Sequence, residues 1–175
     1  MNTLLATSAL LALIVSVGHS QEFKKPLISS DLGGRELGFL TKANEHGILL
    51  LYLAELLQDR STAKPVQALG ELLASTQGEE NSRLIQLASG KSTNFKAETP
   101  PALKKLQTRL GATVAATFDK AAVGETVLLL KESIANYEAG AKSKDAEIQA
   151  FADQGLQLAK EKLGIATKVA EAPAE

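Results

Sequence analysis

Two histidines, His19 and His46, and no cysteine bound the chemistry open to this chain. Without cysteine there is no disulfide, no thiolate metal site and no thiol nucleophile. His46 follows Glu45, while Glu71, Glu79 and Glu80 lie further on. A di-iron site in a helix bundle wants Glu-x-x-His on facing helices, and that spacing occurs nowhere. A zinc site needs several nitrogen, sulfur or oxygen ligands converging, and one histidine does not supply them. Nor does any Ser-His-Asp constellation follow from the spacing. Glu45, His46, Glu71 and Glu80 leave open a carboxylate site that holds a hard cation weakly. The competing reading makes His46 an ordinary, partly exposed residue and Glu79-Glu80 a solvated face.

Ser89-Gly90-Lys91-Ser92-Thr93 looks like the end of a phosphate-binding loop. That motif needs another glycine where Ile85 stands and a strand before it, and a helical pattern precedes it instead. The motif is rejected. Gln77 is the more telling residue. It falls in an apolar seam, where an amide must find hydrogen-bond partners or bear the cost of desolvation. Backbone groups or Thr126 are the expected partners, and a vestigial ligand contact is the functional alternative. Lys160-Glu161-Lys162 reads as helix surface near a C-terminal end, where positive charge suits the helix dipole.

The elements that would position these residues are helices. The 175 residues suffice for one domain with a real core. The 19 basic and 20 acidic residues balance, so no net charge draws the chain to nucleic acid or an acidic membrane. Apolar residues are mainly Leu and Ala, tryptophan is absent, and such a composition favours helices over sheets. Val123, Val127, Leu130, Ile134 and Tyr137 recur at alternating spacings of four and three. That is the seam of a long helix packed against other helices. It runs within Ala112–Gly140, and its middle is Leu129-Leu130.

Met1–Ser20 has the pattern of a secretory signal, with an apolar stretch from Ala9 to Val17 before Gly18-His19-Ser20. Its apolar core is shorter than the ~20 residues a membrane span needs, which favours cleavage before Gln21 over an uncleaved anchor. A periplasmic or secreted location is the expectation. Residues 21–30 read as an extended lead-in, 31–169 as the bundle domain and 170–175 as a disordered tail.

Ser30 or Asp31 is placed to cap the first helix, whose inner positions are Phe39, Ala43, Gly47, Leu50, Ala54 and Leu57. Ser61 or Thr62 caps the second, with Pro65 in its first turn. Its inner face is Val66, Leu69, Leu73, Gln77, Leu84 and Leu87. The short connection makes these two helices antiparallel neighbours. A short helix runs from Thr99-Pro100-Pro101 to Leu110, inside a connection far longer than the others. One long crossover between two antiparallel pairs is the connectivity of ferritin-like bundles; an up-down bundle with an insert is the alternative. Ser143 caps the last helix, which turns Ile148, Phe151 or Ala152, Leu156, Ala159, Leu163 and Ala166 inward. Gly47, Gly70, Gly78, Gly124 and Gly155 fall inside long helices. Each costs ~1 kcal/mol against alanine, a cost that close approach of helix backbones offsets.

Phe39-Leu40-x-Lys42-Ala43, then Pro65-Val66-x-Ala68, then Leu110-Gly111 before Phe118-Asp119 occur in an order that resembles the domain-of-unknown-function 4142 family. The resemblance covers about Asp31 to Ala166. It implies an exported bacterial protein with a ferritin-like four-helix bundle. Members of the family carry an inward Glu on the first long helix and an inward His on each of the other three. Position by position, those sites fall on Leu50, on Thr76-Gln77, on Leu130 and near Lys162. No metal, cofactor or catalytic residue is therefore expected, and the middle of the bundle is expected to be apolar and closed. The function that follows is a non-catalytic exported helical protein that binds an unknown partner or supports an envelope component. A metal-binding bundle built on Glu45, His46, Glu71 and Glu80 is the second reading. A lipid-handling protein whose helices open to expose apolar faces is the third.

Overall fold

The computed structural model describes residues 32–95 and 98–172. The segments 1–20 and 21–30, the capping roles of Ser30 and Asp31, and residues 173–175 of the tail lie outside the described residues. Five helices and no strand are present among the described residues: α1 (Gly34–Arg60), α2 (Lys64–Gly90), α3 (Pro101–Gly111), α4 (Ala115–Gly140) and α5 (Ala146–Glu171). No helix among them is long and apolar enough to cross a membrane.

The helix ends depart from expectation in small, explicable ways. The residue at the N-terminal cap of α2 is Ala63, not Ser61 or Thr62. Ser61 Oγ instead accepts from Ala63 N, and Ser61 O accepts from Gln67 Nε2, so Ser61 closes the turn itself. Pro65 does fall in the first turn. Asp145, not Ser143, caps α5, accepting from Glu147 N and Ile148 N at 3.0 and 3.2 Å. A carboxylate there adds favourable charge to the capping hydrogen bonds. Ser143 Oγ sits two residues earlier and accepts from Asp145 N. Ala170 and Glu171 are still helical, so α5 extends into the expected tail. The Ser89–Thr93 stretch is a helix stop: Ser92 has φ 54° and Thr93 N donates to Ala88 O. A left-handed residue just past a helix end satisfies the last carbonyls, which explains this Gly-Lys-Ser run without a phosphate.

Packing fixes the topology. α1 lies against α2 and α4, and α5 lies against α4 and α2. Phe39 at the start of α1 meets Tyr137 near the end of α4. Arg60 at the end of α1 donates to Leu110 O and Thr113 O, just before α4 begins. α1 and α4 are therefore antiparallel. Lys91 just after α2 pairs with Asp145 and Glu147 at the start of α5, so α2 and α5 are antiparallel too. The chain after α2 must thus travel the length of the bundle to begin α4. α3 lies on that crossover and seals it by burying Leu106 and Leu110. The Arg60 guanidinium locks the arrival point, lying 4.1 Å over the centre of the Phe118 ring.

The apolar interior divides in two. Leu50, Leu53, Leu57, Leu69, Leu73, Phe118 and Leu130 belong to one cluster. Phe39, Leu40, Leu84, Tyr137, Ile148 and Phe151 belong to the other. What separates them is polar.

Candidate functional site

The polar layer follows from helical register. On α1 the buried stripe Phe39, Ala43, His46, Leu50, Leu53 steps by four and three, which carries His46 inward. On α2 the stripe Leu73, Gln77, Glu80, Leu84 carries Glu80 with it. On α4 Ser133 and Tyr137 follow Leu129 and Leu130. On α5 the stripe Ala159, Lys162, Ala166 carries Lys162. Side chains from all four long helices thus reach one level.

At that level Lys162 Nζ donates to Gln77 Oε1 at 3.0 Å and to Glu80 Oε2 at 2.8 Å. Tyr137 OH donates to Glu80 Oε1, and Gln77 Nε2 donates to Asn81 Oδ1 at 3.0 Å. Glu80 and Lys162 are each 3 % exposed. Burial first, and the neighbouring Glu80 carboxylate second, push the Tyr137 phenol far above its ordinary pKa. The phenol is therefore a committed donor.

His46 stands at the edge of this network. Its Nδ1 lies 3.1 Å from Ser133 Oγ, which itself donates to Leu129 O. With the hydroxyl proton used there, Nδ1 carries the imidazole proton and Nε2 is a bare acceptor. Nε2 is buried with no hydrogen-bond partner. Glu132 Oε2 lies 3.9 Å away on a half-exposed side chain, but no ion pair forms, because the ring is neutral. Burial, helped by the Lys42 charge, pushes its pKa down to about 4.

These findings correct several expectations. The bundle centre is not apolar: Gln77, Glu80, Tyr137 and Lys162 meet there. His46 is buried rather than partly exposed. Glu80 leaves the solvated face that Glu79 keeps, and Lys162 leaves the surface that Lys160 and Glu161 keep. Gln77 bonds to Lys162 and Asn81, not to Thr126, whose hydroxyl donates to Ala122 O. Of Glu45, His46, Glu71 and Glu80, only His46 and Glu80 reach a common cavity: Glu71 is exposed, and Glu45 pairs with Lys42. The missed residues did carry a signal, since each falls on the four-three stripe of its helix.

The four positions named from the family pattern do converge. Leu50, Gln77, Leu130 and Lys162 line one cavity of about 10 Å³, together with His46, Glu80, Ser133 and Tyr137. Thr76 turns away and donates to Leu72 O. A cavity this size holds about one water. The donor set does not fit a metal ion. Among the described residues no three His, Cys, Asp or Glu side chains gather, and the one inner carboxylate is already neutralised by an ammonium.

The chain belongs to the family described as Domain of unknown function (DUF4142), whose model matches residues 28–169. It matches no curated protein and no solved structure.

Proposed function

We propose that this is a non-catalytic exported helical-bundle protein that acts by binding a partner or supporting an envelope component. The observation that carries the reading is the Lys162 ammonium seated on Gln77 and Glu80. A tethered cation fills the place between the four long helices where a metal-binding bundle gathers its ligands. The crossover between two antiparallel pairs supports a ferritin-like arrangement, and the chain keeps that arrangement while giving up the metal. Burial first, and the neighbouring Glu80 carboxylate second, hold the Tyr137 phenol protonated, so it is a fixed donor and not a free base. The Met1–Ser20 pattern supports export.

The test is elemental analysis of the purified mature protein, with its N-terminal residue determined. Less than about one tenth of an equivalent of iron, zinc or manganese is expected, with Gln21 at the N-terminus. Near-stoichiometric metal would sink the non-metal reading, and retention of residues 1–20 in a cytoplasmic fraction would sink export.

A further inference from the structure

The bundle end where α1 begins, α4 ends and α5 begins carries a groove of about 430 Å³. That volume is in the range of small-molecule sites. Phe39 and Gly140 form its floor, with Ala139 on one wall. Three cations rim it from two directions, Arg35 from α1 and Lys142 and Lys144 from the α4–α5 turn.

Those charges stand largely unmatched for a structural reason. Of the acids flanking Lys142 and Lys144 in sequence, Asp145 and Glu147 are directed to Lys91, and Glu138, four residues before Lys142, forms no ion pair with it among the described residues. Asp145 is further held by capping α5. Among the described residues Arg35, Lys142 and Lys144 form no ion pair. Glu36 is the one acid in the lining. It accepts from Ser143 Oγ at 3.1 Å and lies in the first turn of α1, where the helix N-terminus offsets its charge. The floor is fixed as well. A Cβ on Gly140 would lie 2.5 Å from the Phe39 ring, so only glycine lets that ring seat against α4.

We propose that this groove binds a small amphipathic carboxylate, with its apolar body on Phe39, Gly140 and Ala139 and its anionic head among Arg35, Lys142 and Lys144. The guanidinium offers a carboxylate two parallel N–H donors, and the lysines add point charges. The inference rests on the binding-protein reading above and supplies the chemistry of what is bound.

Octanoate, octanol and inorganic phosphate are the probes, read by titration calorimetry and by amide shifts in the full mature protein. Octanoate is expected to bind saturably and to move the amides of residues 35–39 and 139–148. Octanol and phosphate, each lacking one half of the recognition, are expected to bind at least about tenfold more weakly. The exposed pair Lys142→Gln/Lys144→Gln should keep its melting temperature and lose about tenfold in octanoate affinity. Absent saturable binding, equal binding of octanol or phosphate, shifts elsewhere, or indifference to the double substitution would each overturn the proposal. Elemental analysis of the same preparation separates the two ideas. Bound metal defeats the non-metal reading and leaves the groove standing; a metal-free protein that ignores octanoate defeats the groove alone.

Discussion

Lys162 Nζ lies 2.8 Å from Glu80 Oε2, on side chains 4 % and 3 % exposed, between two apolar clusters. An ion pair so placed adds little net stability over a well-packed apolar pair, because both charges lose their water. Breaking it from one side is another matter. Lys162→Met strands the Glu80 carboxylate with only the Tyr137 hydroxyl and should cost about 3–5 kcal/mol in urea unfolding. Glu80→Gln added to Lys162→Met should recover most of that loss. A single substitution costing under about 1 kcal/mol would mean the carboxylate finds water or takes up a proton.

Tyr137 gives the second prediction. Its hydroxyl donates to a charged acceptor in a buried place, so Tyr137→Phe should destabilise by about 1.5–3 kcal/mol. The pH dependence has a definite sign. The folded phenol is held protonated by burial and by Glu80, while the unfolded phenol ionises near its ordinary pKa of about 10. Above that pH the folded state binds more protons than the unfolded state, so stability falls as pH rises. Unfolding free energies between about pH 9 and 11 should drop more steeply for the natural protein than for Tyr137→Phe.

The helices and their inner faces were legible because apolar residues at spacings of four and three have one physical meaning. Phe39, Leu50, Leu57, Leu69, Leu73 and Leu130 are all buried as their spacing predicts. The polar layer was legible only at Gln77. Glu80 and Lys162 share its register, but a charged residue at an inner position looks like surface until its partner is known. The partners sit 82 positions apart, and no local pattern joins them. The caps failed for a milder reason. Turn geometry puts Ala63 at the cap of α2, with Ser61 bonded into the turn before it, and takes Asp145 over Ser143 at α5.

Glycine substitutions should sort by what a new methyl group meets. Gly155 faces the Tyr137 ring, with a Cβ placed 2.5 Å from it, and Gly70 faces Ala54 O at 2.8 Å. Gly47 faces the Asn81 side chain. Close approach therefore accounts for these three, whereas Gly78 and Gly124 have open space around the added carbon, and nothing in the structure explains them. Gly155→Ala should destabilise by about 1–3 kcal/mol through overpacking, despite better helix propensity. Gly124→Ala should stabilise by about 0.5–1 kcal/mol. Thermal melts of the two variants should move in opposite directions.

His46 weakens the fold toward acid. Its folded pKa is pushed down to about 4 from 6.5, by burial first and the Lys42 charge second. Glu80, Tyr137 and Lys162 share the cavity that His46 lines, bonded to one another, and the half-exposed Glu132 carboxylate is too well hydrated to reverse that burial. Between these two values the unfolded chain takes up a proton at this site and the folded chain does not. Stability from the neutral imidazole is thus complete above about pH 6.5 and is lost as pH falls toward 4. A depression of this size corresponds to about 3.4 kcal/mol at full burial, and to roughly 2–3 kcal/mol once solvent screening of the ring is allowed for. His46→Asn removes the titration, so its unfolding free energy should change less from pH 7 to 4.5 than that of the natural protein. It should also be lower at pH 7, because the packing against Ser133 is disturbed. Parallel pH slopes for the two proteins would place the ring in water rather than between the helices.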